Sequence, residues 1–160
     1  MKSLKSAFLI CTAIIASTLF LSSCTKAYEL TEDSVQSDAT TEKISKLTEK
    51  TWMVDELREK DLGTSDILVY KRGGTSNLVD IGQIRFKFNQ NNTVDYTDYT
   101  GIKNSNITWK AMDGFSKLLL IEKQSSDSLE FTNVSFSGNT MTYKITDANT
   151  VSTYKMIHQN

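Results

Sequence analysis

The chain has 160 residues, with 18 Lys+Arg against 19 Asp+Glu and a formal charge of −1. That length suits one domain, and so even a charge balance leaves no broad basic footprint for nucleic acid. Two cysteines and one histidine offer little for thiolate or imidazole chemistry.

Lys2 and Lys5 open a basic segment, and residues 7–21 are apolar apart from Thr12, Ser17 and Thr18. A run of about fifteen residues is short for a membrane span and suits a secretory signal. Leu21-Ser22-Ser23-Cys24 comes next, with no Ala-x-Ala cleavage site before it. The four residues resemble the lipobox of bacterial lipoproteins. The resemblance implies a diacylglycerol thioether on Cys24, removal of residues 1–23, and a lipid-anchored protein of the cell envelope. Thr25 stands after the cysteine where an aspartate would favour inner-membrane retention, so the outer membrane is expected. Cys11 leaves with the signal. Cys24 is then the sole thiol, committed to attachment, and the domain has no disulfide.

Residues 24–41 are rich in Ser, Thr, Asp, Glu and Gln and read as a flexible tether. Ile44 and Leu47, three apart, predict one face of a short helix capped by Thr40 or Thr41. Alone it is too short to be stable, so it is expected to dock on the domain that begins at Trp52. From Trp52 onward the period becomes alternating. Strands are predicted over 52–57, 67–70, 84–88, 93–99, 106–111, 118–121, 129–136, 141–145 and 151–157. Asn89-Gln90-Asn91-Asn92, Asp113-Gly114, Gly138-Asn139 and Ala148-Asn149 mark the turns. The apolar parity shifts between Phe131 and Val134, which predicts a bulge. No helical stretch long enough for a parallel crossover separates the strands. The chain therefore predicts an all-β fold, an antiparallel meander of about eight strands closing into a barrel behind a short N-terminal helix. The alternative is a β-sandwich, which a crossover in strand order would reveal.

Three stretches are similar to the lipocalin-like lipoprotein domains common in Bacteroidota. They are Leu47-Thr48-Glu49-Lys50-Thr51-Trp52, then Phe86-Lys87-Phe88-Asn89-Gln90-Asn91-Asn92-Thr93-Val94, then Trp109-Lys110-Ala111-Met112-Asp113-Gly114 with the apolar run ending at Ile121. The resemblance implies domains at 1–23 (signal), 24–41 (tether with lipidated Cys24) and 42–160 (barrel). It implies Trp52 as a plug at the closed end. It also implies a small lipophilic ligand without a cofactor, or an envelope accessory role, with Phe86, Phe88, Tyr96, Trp109, Phe131 and Tyr143 as candidate pocket walls. A protein–protein interaction module or inhibitor at the cell surface is the alternative. The chain departs from the lipocalin pattern at Lys50, where a glycine is usual. It departs again near its last strand, where Lys155 is the only stand-in for an arginine that covers the tryptophan.

Other constellations carry less. His158, the lone histidine, reads as exposed and has no second histidine for a metal pair. Asp95, Asp98, Asp113, Glu122 and Glu130 fall on separate strands and turns, so no catalytic set is expected. Gly73-Gly74 lacks the following lysine and helix of a phosphate loop. Asp33-Ser34-Val35 and Asp127-Ser128-Leu129 resemble the short O-glycosylation signal of Bacteroidota, which would modify Ser34 or Ser128.

Overall fold

The structure is a computed structural model that describes residues 32–125 and 127–159. The signal stretch and Cys24 lie outside the described residues. A helix, α1 (Glu32–Glu49), is followed by nine strands: β1 (Trp52–Asp61), β2 (Ile67–Lys71), β3 (Arg85–Phe88), β4 (Thr93–Thr97), β5 (Lys103–Met112), β6 (Lys117–Glu122), β7 (Ser128–Ser137), β8 (Thr140–Asp147) and β9 (Thr150–His158). One 3₁₀ turn, Asp113–Phe115, separates β5 from β6.

Every pairing is antiparallel between sequence neighbours, except that β1 pairs with β3 as well as β2, and β9 returns to β1. The β1–β9 ladder runs from Trp52 opposite His158 to Asp61 opposite Thr150. Eight strands thus close into a barrel with no crossover, which rules out the sandwich. The ninth, β2, pairs with the second half of β1, where β3 no longer reaches. It is the extra strand within the long connection between β1 and β3.

Alternation builds the interior. Phe86 and Phe88 are buried while Arg85 and Lys87 are partly exposed, so one face of a four-residue strand enters the core. Trp52, Val54 and Leu57, with Leu118 and Leu120, Phe131 and Val134, and Met141 and Tyr143, complete the same lining. In β7 the parity shift becomes a bulge. The register with β8 breaks between Thr132 and Ser135, Asn133 takes φ 51°, and Phe131 and Val134 both point inward. Such bends are what a small barrel needs to curve shut.

The helix is longer than the sequence predicts. Residues 32–41, assigned to a flexible tether, are the first half of α1. The physical reason lies at the other end. Leu47 is fully buried and Ile44 packs on the core, so the C-terminal half is fixed by docking. Once a turn is nucleated, extension is cheap, and no Gly or Pro interrupts 32–49. The last turn is held by Lys87 of β3, whose Nζ donates to the carbonyls of Thr48 (2.6 Å) and Glu49 (3.1 Å). A cation there also suits the helix dipole. Among the described residues, no helix is long and apolar enough to cross a membrane.

Candidate functional site at the barrel mouth

The two ends of the barrel differ. At the closed end Trp52 is fully buried, and its indole Nε1–H donates to the Leu47 carbonyl of α1 at 2.9 Å. Phe136 lies 6.2 Å from its ring and His158 only 4.1 Å. The histidine expected to be exposed is 8% exposed. Its strand explains this: His158 shares parity with buried Met156 and sits directly opposite Trp52. The residue that covers the tryptophan is therefore His158, while Lys155 turns outward to Asp55 (3.7 Å). Neither ring nitrogen of His158 has a hydrogen-bond partner among the described residues, and burial lowers its pKa.

The middle is filled with aromatic rings. Phe131 stacks on Tyr143 at 3.8 Å, Tyr143 on Tyr154 at 5.1 Å, and Phe86 meets Phe131 edge-on at 5.7 Å. Below them Phe88, Trp109 and Phe115 form a second cluster, with the Trp109 Nε1–H donating to the Asn89 carbonyl. An eight-stranded barrel is just wide enough for side chains to fill, and these side chains fill it.

What remains is a recess of about 230 Å³ at the open end, lined by Phe86, Tyr96, Ile107, Leu120 and Leu129, with Glu122, Asp127 and Ser128 at its edge. Of the six candidate wall residues, Phe86 and Tyr96 line it. Phe88, Trp109, Phe131 and Tyr143 belong to the packed interior beneath. Ile107 and Leu120, inward by strand alternation and cross-strand neighbours of Glu122 and Trp109, were legible as candidates from the period of their strands. Asp127 precedes β7 and Ser128 is its first residue, an exposed strand end that gives no such signal. Ser128, one of the two glycosylation candidates, is exposed there.

Polar groups at this end are few and fixed. Glu122 accepts from Asn104 Nδ2 (2.9 Å) and from Ser125 Oγ (3.1 Å). Burial, with the nearby carboxylates of Asp98 and Glu59 respectively, raises the pKa of Tyr96 and of Tyr154. Burial raises Tyr143 well above the ordinary phenol value. All three phenols stay neutral at physiological pH. Tyr96 is thus an apolar wall with one hydroxyl. Asp95 lies on the outer face of β4, bonded to Asn89 (3.1 Å), and Asp98 ties up its own turn through Thr100 and Ile102. No group of three His, Cys, Asp or Glu able to hold a metal occurs among the described residues.

The rim is apolar. Leu62, Ile67, Leu68, Tyr99, Ile102 and Leu129 are exposed large hydrophobics on the mouth ends of strands and their loops. Leu78 and Val79 join them on the loop that folds back on β2, where the Leu78 N–H donates to the Val69 carbonyl. No family model matches the chain, and no curated protein matches it.

Proposed function

We propose that this chain is an outer-membrane lipoprotein, anchored through Cys24, whose lipocalin-like barrel takes a small apolar ligand at its open end. It acts by binding and not by catalysis. The observation that carries the reading is the apolar recess at the open end. Phe86, Ile107, Leu120 and Leu129 supply the contact surface, and Tyr96 supplies one neutral hydroxyl to orient a polar tip. A recess of about 230 Å³ is small for a ligand site, where roughly 300–1,000 Å³ is usual. It suits a single ring or a short acyl tip, with the remainder of the molecule lying along the rim. The lipobox stretch supports the anchor: several acyl chains on one cysteine give stable attachment where one would not.

The test is titration with N-phenyl-1-naphthylamine, whose fluorescence rises in apolar surroundings. Saturable enhancement is expected, and Leu120→Trp, which fills the recess, should remove it. A linear, unsaturable response in the wild type overturns the ligand reading. Separately, cells fed labelled palmitate should label the wild-type chain and not Cys24→Ala; label on both overturns the anchor.

A further inference from the structure

A second concavity lies on the outside of the barrel and meets the mouth recess only at Tyr96. It measures about 670 Å³ and spans the outer faces of β3, β4 and β5. The strand register orders its side chains into two rows. Arg85 stands opposite Thr97, and Thr97 opposite Lys103. Lys87 stands opposite Asp95, and Ser105 of β5 lines the same concavity.

The second row satisfies itself. Lys87 is spent on the helix carbonyls and Asp95 on Asn89. The first row holds no carboxylate. Lys103 is exposed, and neither Lys103 nor Arg85 forms an ion pair among the described residues. Arg85 is half-buried. Its Nη1 donates to the carbonyls of Gly82 (2.7 Å) and Ile84 (2.8 Å). Arg72 Nη2 leans on the same Gly82 carbonyl (3.4 Å). Burial, and then the Arg72 charge, lower the Arg85 pKa. Two strand spacings of about 4.8 Å separate the Arg85 and Lys103 backbones, a span that both side chains can close over Thr97. Around this pair stand hydroxyls and amides: Thr51, Gln83 and Gln159.

We propose that this outer concavity is a binding site for a sugar carrying a phosphate ester. The ester is held between Arg85 and Lys103, and the sugar hydroxyls by the Thr97 hydroxyl and the flanking amides. A guanidinium and an ammonium converging on one anion give charge-assisted bonds about twice as strong as neutral ones. The polar wall gives a hydroxylated ring partners that a bare ion would not use. Tyr96 borders both concavities, but Arg85 and Lys103 line the outer one and not the mouth recess.

The experiment uses the full chain in uncharged detergent and isothermal titration with four soluble probes: glucose-6-phosphate, glucose, inorganic phosphate and glycerophosphoinositol. Glucose-6-phosphate should bind at least about tenfold more tightly than glucose or phosphate alone, and more weakly as salt rises. Lys103→Gln, at an exposed side chain without an ion-pair partner, should leave the melting temperature unchanged and weaken that binding about three- to tenfold. Adding Arg85→Gln should abolish it, while an unchanged near-UV circular dichroism spectrum reports an intact barrel. If glycerophosphoinositol is the tighter ester, the source is a lipid headgroup; if glucose-6-phosphate is, the source is a free sugar phosphate. Equal affinity for glucose and its phosphate, or full affinity in Lys103→Gln, overturns the site. Phosphate alone binding as tightly as the sugar phosphate overturns the sugar half of it.

Discussion

His158 shows how much one side chain can carry at the end of a strand. Its ring lies 4.1 Å from that of Trp52, tilted by 57°, with both nitrogens unpartnered among the described residues, so the pair is a packing contact. The cost appears on protonation. Burial is the main cause that lowers the ring's pKa from its ordinary 6.5. Glu49 opposes the shift, while Lys50 and Lys87 add to it. The unfolded chain therefore binds a proton more readily than the folded one. The stability contributed here is intact above the unfolded value and falls as pH drops through it, levelling below the folded value. It is the only histidine, so between about pH 7.5 and 5.5 it dominates titration. The melting temperature should fall across that window in the wild type and stay flat in His158→Phe; equal slopes would show that the ring is not the cause. The sequence held this in plain form, since the alternation running through Met156 continues to His158. Proximity to the chain end obscured it, because a terminal residue is ordinarily solvent-exposed.

At the scale of elements, strands were easier to read than the helix. The alternation of Phe86 and Phe88 with Arg85 and Lys87 is local, and it survives into the fold unchanged. The bulge in β7 was legible too, because Phe131 and Val134 cannot both face inward on a regular strand. Its backbone cost sits at Asn133, with φ 51°, a conformation asparagine tolerates and a β-branched residue does not. Asn133→Val should cost about 1–2 kcal/mol and Asn133→Gly little, read as denaturant midpoints; a tolerated valine would mean that the bulge relaxes. The first half of α1 was not legible. Residues 32–41 have no apolar period of their own, and their helicity is borrowed from Leu47 and from Lys87, thirty-eight or more positions away in sequence. The mouth recess was half legible for a related reason. Phe86 and Tyr96 line it, but alternation marks a side chain as inward without saying at what depth, and depth decides whether it is wall or filling.

For the whole molecule, closure is the decisive contact. The ladder between β1 and β9 joins Trp52–Asp61 to Thr150–His158, almost the full length of the barrel domain. Deleting residues 150–160 should leave no cooperative unfolding transition in near-UV circular dichroism, because β1 and β8 would both become open edges. A truncated chain that still melts cooperatively would mean that the remaining strands re-seal. The same ladder sets a timetable. A chain emerging end-first, from a ribosome or through a membrane pore, has β1 in hand long before β9 exists, and Trp52 has no His158 to cover it. Contacts at such separation are the slowest to form. The barrel domain is therefore kept unsealed by its own topology until its final residues are free, and threading and folding cannot compete for it.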